Sequence, residues 1–398
     1  MKNTILYIGN FSFPHGSAPG SRVLGNGYLL KELGFDVFFI GTDVNLTSGQ
    51  PLEYTKQFYD DFRYYNLPYP SGIKDWLSYK KRFNEVISLI EDEDLFAIII
   101  YGSPTISLFG NLIRKWCNKN NIKFITDCVD WLSAGHGGFF IRFAKFIDTS
   151  YQKRFLNSKA DGVIAVSSYL SNYYKNKGCK TVVIPPLVNI EYFKGLYKNN
   201  RISEVVNLIY VGLPFPVDGR IVKESSYKDR LDKVIDALYE LRDLEFVFNI
   251  YGLSKKQYLS VTQKHGRIIN TLGEKIKFHG YVNNTDAIIN ISLADFTVLF
   301  RDVNRATTAG FPTKVVETIS CGTPVITTNT SDLKKYIEVG KNGFIVNIDD
   351  KDKLLASMRK ILLLDRNSIS FMKKHCKESG LFSFHNFTIP FNHFLNSM

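Results

Sequence analysis

The 398-residue sequence predicts an α/β protein built from two doubly wound parallel sheets. Its length is about twice that of an ordinary single domain. Short β-branched or aromatic runs alternate with helical patterns along nearly the whole chain, as strands and helices of βα units do. The alternation breaks between Pro185 and Arg201, where PPLVNIEYFKGLYKNNR follows a double proline that continues neither element.

In the first half the strand-like runs are TILYIGN, DVFFIG, FAIIIYG, IKFITD, GVIAVS and TVVIP, with helical stretches between them. In the second half NLIYVG, FVFNIYG, KIKFHGYV, DFTVLF, PVITT and GFIV read as strands, and DRLDKVIDALYEL, TKVVETISC, SDLKKYIEV and DKLLASMRKILLL as helices. The last segment, FSFHNFTIPFNHFLNSM, is aromatic and too short for a domain of its own, so it is expected to pack back on the first domain. The expected division is 1–190 with the returning segment 380–398, and 201–375.

Composition narrows the function classes. An apolar fraction of 44% excludes disorder. The five cysteines are odd in number and scattered, without CxxC or Cys/His spacing; they suggest neither a disulfide framework nor a zinc site and fit a reducing cytoplasm. MKNTILYIGNF runs straight into a strand without a leader pattern, and no run approaches the roughly 18 apolar residues of a membrane span. The net charge is +12, and residues 1–190 hold 21 Lys/Arg against 16 Asp/Glu, so the halves carry +5 and +7. An excess spread this evenly argues against nucleic acid as a partner, because tracking phosphates needs a clustered basic stripe.

In open α/β sheets ligands lie beyond the carboxyl ends of the strands. After the first strand, FSFPHGSAPGSRVLGNG combines Gly16, Gly20, Gly25 and Gly27 with Ser17, Ser21 and Arg22 before a helix running to about Leu33. Such a turn lets backbone approach a ligand, but the spacing fits neither GxGxxG nor a P-loop, and a loop that only turns the chain reads the same way. After NLIYVG, the loop LPFPVDGRIVKESSYKD carries Arg220, Lys223 and Lys228, with Lys228 at the mouth of a helix that starts near Asp229. Helix amides and a lysine there suit a diphosphate; a solvated loop lysine is the plainer reading. Third, GFPT precedes a helix whose Val315, Val316 and Ile319 face the sheet, with Glu317 off that face. The pairing suggests amides for phosphate or sugar and a carboxylate for the paired hydroxyls of a ribose, against a glutamate that merely stabilises a helix start.

Together these stretches resemble the retaining glycosyltransferases of GT-B type, specifically the family-4 (group 1) enzymes of bacterial capsule, lipopolysaccharide and exopolysaccharide synthesis. The resemblance spans both halves and is most specific from Asn207 to Val346, where YVG…KD, KIKFHGYV, ADFTVLF, GFPTKVVETISCGTPVITT and GKNGFIV stand in family order. It implies two facing doubly wound domains, a nucleotide-sugar donor held mainly by the second, a saccharide or lipid-linked acceptor held mainly by the first, and a C-terminal helix crossing back. It gives Lys228 to the donor diphosphate, Glu317 to the ribose, and Gly310, Phe311, Pro312 and Thr313, continuing into Lys314, to the loop around phosphate and sugar; Gly16 of the first glycine loop joins the donor set, and Lys228 and Glu317 serve catalysis as well.

The sequence departs from the family pattern in three places. Ala309 stands where a glutamate usually contacts the donor sugar. Leu213 replaces a common arginine; Arg220, Arg301 and Arg305 are the candidates to supply that charge, with RDVNRATTAG favouring Arg301. Val129 occupies the place of a histidine in the first domain; the nearby polar candidates are Asp127, Asp130 and His136, each equally readable as structural. With Arg22 these are the expected acceptor contacts, and Asp130 is the expected catalytic group of that domain.

The implied chemistry is glycosyl transfer with retention, with the leaving diphosphate stabilised by cations and helix amides and without metal or cofactor. A nicotinamide-dependent enzyme would need GxGxxG and an acidic residue about 20 positions later, which neither half has. A non-catalytic nucleotide-sugar-binding or scaffold protein of the same fold is the alternative. One further stretch, GGFFIRFAKFIDTSYQKRFLNSK, sets Phe139, Phe140, Phe143, Phe146 and Ile147 among Arg142, Lys145, Lys153 and Arg154. It reads either as an interfacial helix at the inner face of a membrane or as a helix packing its aromatics into the first domain.

Overall fold

A parallel strand covered on both faces is apolar without interruption, and TILYIG meets that requirement. In the computed structural model, which describes residues 3–14, 17–46, 51–69, 81–102, 107–131, 139–197, 204–219 and 221–398, this run forms β1 (Thr4–Gly9), buried along its whole length. Alternate side chains serve two cores: Ile5 and Tyr7 join one cluster with Val23, Phe39 and Ile99, while Leu6 and Ile8 join another with Phe38, Ile98 and Phe109.

The chain forms two compact units. The first comprises Met1–Val188, Ala309–Phe311 and Ser383–Met398, the second Asn189–Thr308 and Pro312–Phe382. In the first unit β1 is followed by β2 (Asp36–Asp43), β3 (Gln57–Tyr59), β4 (Phe62–Pro68), β5 (Leu95–Tyr101), β6 (Lys123–Cys128), β7 (Gly162–Ala165) and β8 (Thr181–Val183). They make one sheet of order β3-β4-β2-β1-β5-β6-β7-β8, parallel except for β3 against β4.

The β3–β4 hairpin escapes the sequence reading. Its turn uses Asp60 at φ 47°, and FRYYNLP mixes aromatic, polar and proline residues, so no apolar run marks β4. The aromatic last segment does join the first unit, from Ser383 rather than from residue 380. Ser383 bridges Val188, the helix Thr388–Asn396 places Phe391, Phe394 and Leu395 in the first core, and Lys123 Nζ donates to the Met398 carbonyl at 2.6 Å.

The second unit contains β9 (Val206–Val211), β10 (Phe246–Tyr251), β11 (Ile276–Gly280), β12 (Phe296–Leu299), β13 (Val325–Thr328) and β14 (Gly343–Val346). Their order is β11-β10-β9-β12-β13-β14, and every pair is parallel. The chain winds outward from β9 and returns to its other side at β12, so the carboxyl ends of these two strands form the switch point where ligands bind in such sheets. SDLKKYIEV supplies only the 3-10 turn Leu333–Lys335, because Ser331 turns left-handed at φ 53° just before it. The unit extends past residue 375: the helix Arg366–Ser379 is tied in by Arg366 Nη2 to Asp295 Oδ1 at 2.7 Å and by Lys373, whose buried ammonium donates to the Ser292 carbonyl at 3.0 Å.

Candidate functional site

The switch point of the second sheet is a charged cluster built on glycine. Gly212 follows β9 at φ 127°, a conformation closed to most residues. A Cβ there would sit 2.5 Å from Lys314 Nζ, and one at Gly252, after β10, would sit 2.6 Å from the Gly212 carbonyl oxygen. Removing both side chains opens the sheet end to the lysine.

Lys314 is the second residue of the helix Thr313–Ser320, whose N-cap, Pro312, offers no capping side chain. Its ammonium bonds to the Asp229 carboxylate and lies 3.1 Å from Tyr210 Oη, over the Tyr210 ring. Tyr210 itself donates to Asp229 Oδ2 at 2.8 Å, and Arg301 Nε donates to Asp229 Oδ1 at 2.8 Å. Asp229 is fully buried. Burial alone would raise its carboxyl, but Lys314 and Arg301 outweigh that and hold it well below the usual carboxylate range. One buried anion therefore orients two cations. Because Arg301 spends only Nε on it, its two terminal nitrogens have no partner among the described residues and remain for a bidentate anion.

Backbone bonds fix this corner. The Lys228 amide donates to the Pro214 carbonyl at 2.8 Å, and the Arg230 amide to the Phe300 carbonyl at 2.8 Å, across the carboxyl ends of β9 and β12. Arg230 is itself locked among Asp232, Asp302 and Glu224. The Lys228 side chain is exposed. Its charge is nonetheless felt at both Lys314 and Glu317.

Glu317 lies one turn into the Thr313–Ser320 helix, half-buried, and no side chain or amide among the described residues bonds its carboxylate. Burial pushes it up to about 6, against the opposing pull of Lys314 and Lys228. A desolvated carboxylate beside cations it does not touch is an acceptor without a donor.

The structure thus brings Lys228, Arg301, Lys314 and Glu317 to one corner of the second unit, and adds Asp229 and Tyr210, which the sequence reading passed over as a helix start and a strand residue. The dipeptide Lys228–Asp229 was the available signal: a buried acid next to an exposed lysine at a sheet end demands a cationic partner. Gly310, Phe311 and Pro312 are buried and Thr313 half-buried, so little but backbone is left for a ligand along this loop. Ala309 is fully buried, and within the first unit its carbonyl accepts from Ser167 Oγ at 2.6 Å. Arg220 lies outside the described residues.

Of the expected acceptor set, Arg22, Asp127 and Asp130 lie in the first unit, and all three charges act on Tyr101. Arg22 and Asp127 are buried against each other, with Nη2 to Oδ1 at 2.7 Å and Nε to Oδ2 at 2.9 Å. Tyr7 Oη donates to the same carboxylate at 2.5 Å, and Arg22 Nη1 donates to the Ile184 carbonyl at 3.0 Å. This network ties the helix Ala18–Glu32 to β1, β6 and the end of β8. Nε and both terminal nitrogens of Arg22 each make a bond inside the unit, and both Asp127 oxygens accept, so this pair ties the elements of the first unit together. Asp130 is exposed two residues past β6, and Val129 packs against the first core. Gly16 and His136 lie outside the described residues.

Two α/β units with parallel, doubly wound sheets constitute a GT-B fold. Solved structures bear this out across the whole chain. Sucrose-phosphate synthase of Thermosynechococcus elongatus superposes with a TM-score of 0.70 at 15% identity, covering 99% of this chain and 98% of that one. An E. coli trehalose-6-phosphate protein bound with UDP-2-fluoro glucose gives 0.70 at 11%, covering 100% and 99%. Anabaena HepE, in complex with UDP and glucose, gives 0.63 at 16%, covering all of both chains. Residues 220–378 match the family described as glycosyl transferases group 1. In sequence the chain is similar to an uncharacterized 41.2 kDa protein in the cps region of Klebsiella pneumoniae, 23% identical over 240 residues. That match spans 57% of this chain and 58% of the relative.

Proposed function

We propose that the protein is a glycosyltransferase that moves a sugar, with retention of configuration, from a nucleoside diphosphate sugar to an acceptor hydroxyl in the synthesis of a bacterial surface polysaccharide. The observation that carries this reading is the Asp229 cluster: one buried carboxylate aims Arg301 and Lys314 at the switch point, beside the Glu317 carboxylate, which no group among the described residues bonds. The group 1 match over the same residues, UDP and UDP-2-fluoro glucose in the structural neighbours and the cps-region relative support it.

In this mechanism the diphosphate lies against the Arg301 fork, the Lys314 ammonium and the first amides of the Thr313–Ser320 helix, with Lys228 closing over it from the loop. Charge grows on the leaving oxygen as the glycosidic bond breaks, and preorganised cations stabilise it without reorganising. These side chains supply the positive charge, so transfer proceeds without a divalent ion. Glu317 accepts from the ribose hydroxyls, and Asp130, exposed just past β6 in the first unit, is assigned to the acceptor side.

Incubation with labelled nucleotide sugars and extracted saccharide or lipid-linked acceptors, with and without EDTA, tests the reading; the expected result is one preferred donor, EDTA-insensitive turnover and a product whose anomeric coupling matches the donor's. A nucleotide-sugar-binding protein without turnover is the second reading, favoured by the buried Ala309 in place of a sugar-contacting glutamate. Tight binding of a nucleotide sugar with no transfer to any acceptor would establish it.

A further inference from the structure

From Phe143 onward, over the side chains that are described, the helix Phe139–Tyr151, continued by a π turn over Gln152–Leu156, is amphipathic in the inverted sense. A helix at a protein surface turns its apolar stripe to the core and its polar stripe to water. Here Asp148, Thr149 and Gln152 are buried at 3%, 4% and 5% exposure, while Phe143, Phe146, Ile147 and Phe155 are exposed at 57%, 56%, 51% and 53%. Residues 143, 146 and 147 share one face by their spacing.

The inner side is held by polar bonds and close packing. Asp148 accepts from the Ser107 hydroxyl, Asn157 donates to Tyr174 Oη at 2.9 Å, and Leu156 sits in the second core of the sheet. The aromatics therefore face outward because the opposite face is anchored. Leu108, in the first turn of the helix Ser107–Lys119, is 56% exposed as well.

We infer that this face docks on an anionic lipid bilayer. Exposed apolar side chains gathered on one helix face mark an interaction surface, and the charges beside them select the partner. Residues 139–159 include Arg142, Lys145, Lys153, Arg154 and Lys159, and their one carboxylate, Asp148, is turned into the protein. Arg154 and Lys159 are exposed. Exposed phenylalanines in a stretch that also exposes Arg154 and Lys159, and whose single carboxylate is buried, fit a bilayer rich in acidic lipid. No helix among the described residues is long and apolar enough to cross a membrane, so this is attachment at the surface. The inference does not depend on the donor chemistry of the second unit.

Flotation of the full-length protein with vesicles of phosphatidylcholine alone, or of phosphatidylcholine with phosphatidylglycerol, tests it. The protein is expected to float with the mixed vesicles only. The double variant Phe143→Ser/Phe146→Ser should bind at least about tenfold more weakly. Arg154→Gln/Lys159→Gln should lose about 30-fold, at roughly 1 kcal/mol for each basic residue near an anionic surface. All four positions are exposed, so both variants should melt with the wild type, and an unchanged melt separates lost docking from lost fold. Absence of flotation with anionic vesicles overturns the inference, as does flotation that neither variant weakens. A wild-type dimer in solution that Phe143→Ser/Phe146→Ser dissolves also overturns it, since a second copy would then cover the face.

Discussion

Glu317→Gln should make the protein more stable and its site weaker at once. In the folded chain burial raises the Glu317 carboxyl from 4.5 to about 6. The shift of about 1.5 units corresponds to about 2 kcal/mol, an upper bound for a group partly open to solvent. Its sign follows from proton binding: between about pH 4.5 and 6 the folded state keeps a proton that the unfolded state has lost, so stability falls as pH rises through that window, and the whole cost is present above it. Glutamine carries no charge to desolvate. The variant should match the wild type near pH 4.5 and exceed it by up to about 2 kcal/mol near pH 8, a few degrees in melting temperature for a domain of this size. Donor affinity should move the other way. An ionised acceptor of ribose hydroxyls is worth about 1.5–3 kcal/mol, or roughly 10- to 150-fold in Kd, and wild-type affinity should climb as pH rises through about 6 while that of the variant stays flat. Thermal melts and calorimetric titration with the preferred nucleotide sugar, both run from about pH 4.5 to 8, read the two effects separately. A variant that melts with the wild type near pH 8 refutes the desolvated carboxylate; one that binds the donor as well as the wild type refutes its hydroxyl-accepting role.

Other substitutions separate roles that a single activity assay would merge. Lys228→Ala should slow turnover by about 10- to 100-fold while changing donor Kd little, because its exposed ammonium acts on charge that develops during bond breaking; single-turnover rates beside equilibrium titration check this. Asp229→Asn removes the anion that orients Lys314 and Arg301, and denaturant titration should show a loss of about 3 kcal/mol or more from leaving two cations together in a buried site, with donor affinity falling as well. Asp127→Asn should cost about 3–5 kcal/mol by stranding Arg22 in the first unit, seen as a lowered denaturation midpoint with no selective change in acceptor KM for the molecules that stay folded. Asp148, raised from 3.8 to about 7 by burial, should draw off about 4 kcal/mol of stability between about pH 4 and 7, again because the folded state holds the proton longer; Asp148→Asn should flatten that part of the stability–pH curve.

Legibility from the sequence followed how local each cause was. The six strands of the second sheet are short β-branched or aromatic runs bounded by turns, so each announces itself. The β3–β4 hairpin does not, because its register rests on a left-handed Asp60 and on a Tyr64–Gln57 hydrogen bond across the strands rather than on an apolar run. At the site, Lys228, Arg301, Lys314 and Glu317 could be named because each follows a strand or opens a helix, positions that sequence marks. That Asp229 ties two of them together is a fact about residues 72 and 85 positions apart in the chain, and no local pattern carries it. Arg22 and Asp127 show the converse: a glycine loop and a strand end look like places for ligands, yet the two side chains, 105 positions apart, neutralise each other. The helix at 139–151 was readable as amphipathic, but which stripe faces inward is decided by Ser107 and by the core beneath it.

The return of Ser383–Met398 to the first unit sets the order in which the protein can mature on the ribosome. Phe391, Phe394 and Leu395 complete a core otherwise made by residues 5–187 and His385-flanked Phe384, yet roughly 200 residues of the second unit are synthesised in between. At roughly 5–20 residues per second, the nascent first unit waits about 10–40 s with an apolar face uncovered, while the second unit, though later in sequence, has its whole sheet and last helix emerged before the first can close. The half that begins first is thus the one that finishes last, and during that interval it is the half that chaperones and proteases will meet.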